Sequence, residues 1–237
     1  MENDTARLEA HYEAMWTGAI GALAAGDIDC DSRLSLGPDP RRGLTLIARP
    51  GPALAARFDA LLDRLCAVEP RQYRHPVADM HVTVLSLFTV TDDPGPSLAH
   101  LEDYRAAVHA ALAGEGFTID FDGITLSRGA VLARGFPRGP GLETLRERLR
   151  GELRARGLAA SLDQRYRLVT AHATLLRFAA PLAQPARLAA LLEALRDEPL
   201  GEMWVDRLEL VINDWYMSSG SLRLVEALSL GGLSRRS

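Results

Sequence analysis

The chain contains no lysine; all 27 of its basic residues are arginine. That excludes chemistry through a lysine amine, such as a Schiff base or an adenylated lysine, and with it an ATP-dependent ligase of the covalent-lysine kind. Cysteine is almost absent too. Cys30 and Cys66 provide neither a disulfide framework nor a thiolate metal cluster, and two free thiols suit the cytoplasm. No apolar run reaches the length of a membrane span. The start, MENDTARLEAHYEAMW, is acidic and amphipathic, without the basic head and apolar middle of a secretory signal. The expected location is therefore cytoplasmic, with no membrane partner. Excess positive charge is also lacking: the formal charge is −4, which argues against grip on long duplex nucleic acid. A small anionic ligand held by a few local groups stays open.

What is present suits a folded enzyme-sized domain. At 237 residues, 47% hydrophobic and 24% charged, the chain can bury a substantial core and is not broadly disordered. Residues 5–25 carry Leu8, Tyr12, Met15, Ala19 and Leu23 at helical spacing. A polar, turn-rich segment follows to residue 42, with Arg41 and Arg42 expected in solvent, a ligand contact being the second reading. Residues 43–50, 80–90, 117–127, 129–136, 167–178, 205–214 and 221–230 read as strands. Residues 52–70, 98–114, 141–157 and 185–197 read as helices. The organisation expected is an N-terminal helix and connector over 1–42, then an α+β domain over 43–237. At low resolution the order of elements in this domain repeats, which suggests two related lobes.

The informative residues are His81-Val82-Thr83-Val84 and His172-Ala173-Thr174-Leu175. Side chains alternate along a strand, so each segment presents an imidazole and a hydroxyl on one face. With six histidines and eleven threonines in the chain, two His-x-Thr triplets arise by chance about 3% of the time. Equivalent placement in a repeated unit lowers that further. Displacement at a phosphodiester needs one proton taken and one given on opposite sides of phosphorus. A pair of histidines, one neutral and one protonated, performs both near neutral pH. The hydroxyls of Thr83 and Thr174 can donate to the non-bridging oxygens as charge builds there. The spacing is not that of a zinc site, and neither a metal nor a cofactor is expected.

The two segments, HVTV and HATLLR, resemble the paired motifs of the 2H phosphoesterase superfamily, in its 2′-5′ RNA ligase-like and cyclic phosphodiesterase branch. The resemblance covers roughly residues 43–230. It implies a bilobal α+β fold, two lobes of antiparallel sheet with flanking helices around a central groove. It also implies His81 and His172 as the catalytic pair, Thr83 and Thr174 as phosphate ligands, and a nucleotide or RNA-end substrate. The ligase-like branch commonly carries an arginine three residues after the second threonine, here Arg177. Strict alternation would put Arg177 on the face opposite His172, so a phosphate contact and a strand-end arginine reaching solvent both fit. Ser86 and Phe88 after the first motif bring no charge, which leaves the acid and base roles open.

Other positions are weaker. His75, with Tyr73 and Arg74, precedes the first motif in a loop that could line the groove; Tyr166 and Arg167 precede the second in the equivalent place. Tyr216 in WYMSSG could stack on a base, as relatives often place an aromatic there. Arginines between 146 and 156 read as a solvated helix face. Two functions are carried forward: a metal-independent phosphoesterase acting on a 2′,3′-cyclic phosphate or a 2′-5′ or cyclic nucleotide, and a non-catalytic nucleotide or RNA-end binding module in the same groove. The sequence does not choose an oligomeric state.

Overall fold

The computed structural model describes residues 2–164 and 167–231. The helical spacing at the N-terminus becomes α1 (Glu2–Ala24), which buries Tyr12, Trp16, Ala19 and Leu23. The chain then runs through β1 (Arg42–Ala48), α2 (Pro52–Val68), a two-residue β2 (Tyr73–Arg74) and β3 (Val82–Thr91). Next come α3 (Gly95–Leu98), α4 (Leu101–Ala111), the hairpin β4 (Phe117–Ser127) and β5 (Ala130–Pro137), and α5 (Gly141–Ala155). Last are β6 (Ala173–Arg177), α6 (Pro185–Leu195), β7 (Pro199–Val205), β8 (Arg207–Asn213) and β9 (Arg223–Ser229). Pro52 and Pro185 open their helices at the first turn, where the missing N–H costs nothing. The order of elements agrees with the sequence reading, except that β2, the short α3 and β7 were not foreseen. Pro199 starts β7 and Gly201 takes φ +123° within it; an edge strand tolerates both.

All strand pairs among the described residues are antiparallel, in the order β7-β4-β5-β6-β3-β1-β8-β9, with β2 alongside β6. The sheet divides into two halves, β3-β1-β8-β9 and β7-β4-β5-β6. They meet at a single residue pair, Val82 with Ala173. This is the bilobal α+β arrangement expected. α1, α2 and α6 pack on the second half, while α5 lies against β3 with α4 beside it. One apolar core runs through both halves and includes Trp16 and Leu23 of α1. A small separate cluster, Ile47, Val211 and Met217, lies apart from it. No helix among the described residues is long and apolar enough to cross a membrane.

Candidate active site

His81 and His172 each stand one residue before a strand, β3 and β6, rather than within it. The expected strand from 167 shrinks to Ala173–Arg177. The reason lies in α5. Arg146 is 1% exposed, and its guanidinium takes carbonyls that strand neighbours would otherwise take. Nε donates to Val84 O at 2.8 Å, Nη2 to Thr83 O at 3.0 Å and Thr170 O at 2.7 Å, and Nη1 to Val169 O at 3.3 Å. Arg150 is also buried, donating to Asp163, Glu147 and Leu168 O. The solvated arginine face expected here is thus wrong for these two. Both fall among Leu142, Leu145, Leu149 and Leu153 on the inward side of the helix.

His81, Thr83, His172 and Thr174 line one cavity of about 230 Å³. The seam pair Val82–Ala173 sets the two His-x-Thr segments side by side, and alternation turns all four side chains to the same face. Arg177 and Tyr216 line the cavity as well. Arg177 gets there through a bulge. On β5, Val131 pairs with Leu176 and Leu132 with Thr174, which leaves Leu175 unopposed. Leu175 and Leu176 both turn into the core, so Arg177 falls on the face of Thr174. β3 repeats the device: Leu46 pairs with Leu85 and Ile47 with Thr83, which leaves Val84 unopposed and brings Ser86 to the cavity. Ser86 is therefore the first-lobe counterpart of Arg177.

Each imidazole is held through Nδ1. That of His81 lies 2.7 Å from Asp79 O, and that of His172 lies 2.7 Å from the Thr170 hydroxyl. A carbonyl only accepts, so His81 carries its neutral-state hydrogen on Nδ1 and leaves Nε2 unprotonated. Burial pushes both histidines down to about 4. Next in importance, the Asp79 carbonyl works against the shift at His81, and the His81 imidazole adds to it at His172. Arg146 and Arg177 contribute further at His172. Both shifts favour the neutral imidazole.

One wall of the cavity is aromatic. The Tyr216 ring sits under the Arg177 guanidinium, 5.8 Å from carbon to ring centre, and its phenol donates to Asp31 Oδ2 at 2.9 Å. Trp215, which the sequence reading passed over, lines the same wall, with the Arg41 guanidinium 5.5 Å from its ring centre. Arg41 is held by Asp39 and only 16% exposed, so it is not the solvated residue expected. The connector before β1 thus braces this wall.

The remaining candidates lie elsewhere. His75 does not reach the cavity. Its backbone N–H donates to Leu175 O, which turns the ring inward against Tyr73 at 2% exposure. Neither ring nitrogen has a hydrogen-bond partner among the described residues. Burial, followed by the Arg177 and His81 charges, pushes it down to about 3. Arg74 pairs with Asp59 and Asp63, and Arg167 with Glu143 and Glu147, all away from the cavity. Tyr166 lies outside the described residues.

Comparison with known proteins bears on the fold and the family. The fold is similar to that of TT0787 of Thermus thermophilus, with a TM-score of 0.58 at 20% identity, over 79% of this chain and 97% of that one. E. coli LigT complexed with 3′-AMP gives 0.54 at 19% identity, over 82% and 100%. The conserved protein of unknown function ATU0111 from Agrobacterium tumefaciens gives 0.56 at 15%, over 90% and 98%. No curated protein matches the sequence. The family model of the 2′-5′ RNA ligase superfamily matches residues 50–215, a stretch holding both His-x-Thr motifs, and the chain belongs to that superfamily.

Proposed function

We propose that the protein is a metal-independent phosphoesterase that opens a 2′,3′-cyclic phosphate, or cleaves a 2′-5′ or cyclic phosphodiester, on a nucleotide or RNA end. The observation that carries this reading is the shared cavity. Two imidazoles, two hydroxyls and a guanidinium converge there from both halves of the sheet. In the reaction, a water oxygen attacks phosphorus and gives its proton to one histidine. The bond from phosphorus to a ribose oxygen breaks, and the other histidine, protonated, gives that oxygen a proton. The product is a phosphomonoester. Thr83 and Thr174 donate to the non-bridging oxygens, where charge grows in the transition state, and Arg177 offsets that charge.

The depressed values of the two histidines fit this cycle. The downward shifts favour the neutral rings and an arriving phosphate anion favours their charged forms, so a proton is taken up with the substrate. The aromatic wall of Trp215 and Tyr216 suits a base or ribose beside the phosphate. Structures of E. coli LigT, a fold relative, are complexed with 3′-AMP and with NADP+, which supports a nucleotide-sized ligand here. Ligation is the same displacement in reverse, with a ribose hydroxyl as the attacking group.

The test is a panel assayed in EDTA: nucleoside 2′,3′-cyclic monophosphates, a 2′-5′-linked dinucleotide, and an oligoribonucleotide with a cyclic phosphate end. Turnover of any of them supports the reading and names the substrate. Tight binding of all with turnover of none overturns it in favour of a binding module.

A further inference from the structure

The two halves of the sheet share one paired residue, Val82 with Ala173. Beyond it β3 and the approach to β6 form no further backbone pair among the described residues. Arg146 fills that gap. Its four contacts fall two on each side, Thr83 O and Val84 O against Val169 O and Thr170 O. Thr83 is a motif residue; Thr170 holds the Nδ1 side of His172. The guanidinium is buried, and its nearest carboxylate oxygen, from Glu143, is 4.0 Å away. A buried arginine is costly to desolvate, and an apolar side chain would satisfy the packing among Leu142, Leu145 and Leu149. What an apolar side chain lacks is a rigid planar fork that bridges the two strands; lysine lacks it too.

We propose that Arg146 is a positioning residue that fixes the width of the groove between His81 and His172, replacing the cross-strand hydrogen bonds the two motif strands do not make. It touches neither substrate nor reacting atoms; it acts through Thr83 and His172. Its charge has a second consequence. The charged and titratable groups facing His172 are His81 from the lead-in to β3, Arg146 from α5, Arg177 from β6 and His11 from α1. Arg146 therefore helps hold His172 neutral, after burial and His81.

The kinetic arm of the test rests on the proposed phosphoesterase reaction; the spectroscopic arm does not. In folded Arg146→Lys, which keeps the charge and loses the fork, kcat should fall roughly 100-fold, the scale of a small misplacement at a reacting centre. The acid limb of kcat/KM should stay in place. In Arg146→Met, kcat should fall as far and that limb should move to higher pH, because removing a neighbouring cation favours protonated His172. Full activity in Arg146→Lys would assign the role to charge alone and overturn the geometric one, as would a folded Arg146→Met variant within about threefold of wild type.

If the variants do not fold, or the wild type turns over nothing, the wild-type protein decides by NMR with inorganic phosphate as probe. The Arg146 Nε–H should outlast that of exposed Arg64 in deuterated water, and should shift with the His172 signals at the same phosphate midpoint. Exchange as fast as Arg64, or an Arg146 signal unmoved while His172 responds, overturns the proposal.

Discussion

The phenol of Tyr216 donates a 2.9 Å hydrogen bond to the carboxylate of Asp31, a residue of the connector that precedes β1. The family match begins only at residue 50, so this brace on the cavity wall lies outside it. Losing one such bond costs about 1 kcal/mol. If the wall serves substrate binding and not the chemical step, Asp31→Ala and Tyr216→Phe should each raise KM about fivefold with kcat nearly unchanged. Steady-state kinetics on the preferred substrate measures this. An unchanged KM in both variants would show that the wall does not contact the substrate.

Thr83 and Thr174 offer the hydroxyls that face the proposed phosphate. Valine keeps the shape of threonine and removes the donor. Thr83→Val and Thr174→Val should each lower kcat by about 10²-fold, the scale of a lost oxyanion donor. Inhibition by inorganic phosphate should weaken in parallel. Activity near wild type in both would place the phosphate elsewhere.

His75 makes a prediction about stability. Burial and the nearby Arg177 and His81 charges push its imidazole down to about 3, against about 6.5 in an unfolded chain. Between those values the unfolded state binds more protons, so stability rises with pH. The contribution is complete above about pH 6.5 and lost as pH falls toward 3. His75→Phe removes the titrating group and the two unpartnered ring nitrogens. It should be neutral or stabilising at pH 7. It should also lessen the loss of stability on acidification by a few kcal/mol, since each pH unit between the folded and unfolded values is worth about 1.4 kcal/mol. Denaturant melts at pH 7 and pH 4 check this; parallel losses in both proteins would contradict it.

The motif pair was legible because it depends on a period of two, which holds across His81 to Thr83 and His172 to Thr174. Arg177 was ambiguous because the same rule was carried across a bulge. Leu175 and Leu176 both face the core, and no residue in LLR announces that the register resets. Arg146 was legible in principle and misread. It sits four residues after Leu142 and three before Leu149, on the apolar face of α5. A charge there signals a buried partner set, which only the fold shows to be carbonyls of both motif strands. Trp215 and Asp31 carried no signal, since their roles depend on where a turn and a connector meet in space.

The central claim is that His81 and His172 share the proton transfers. Its most direct test is the rate of 2′,3′-cyclic nucleotide opening in EDTA by the wild type, His81→Ala and His172→Ala, with folding checked by melting. The wild type should turn over, and each variant should lose about 10²–10⁴-fold, the scale of general acid–base catalysis. Turnover within tenfold of wild type in either folded variant, or a wild-type activity abolished by EDTA, would contradict it.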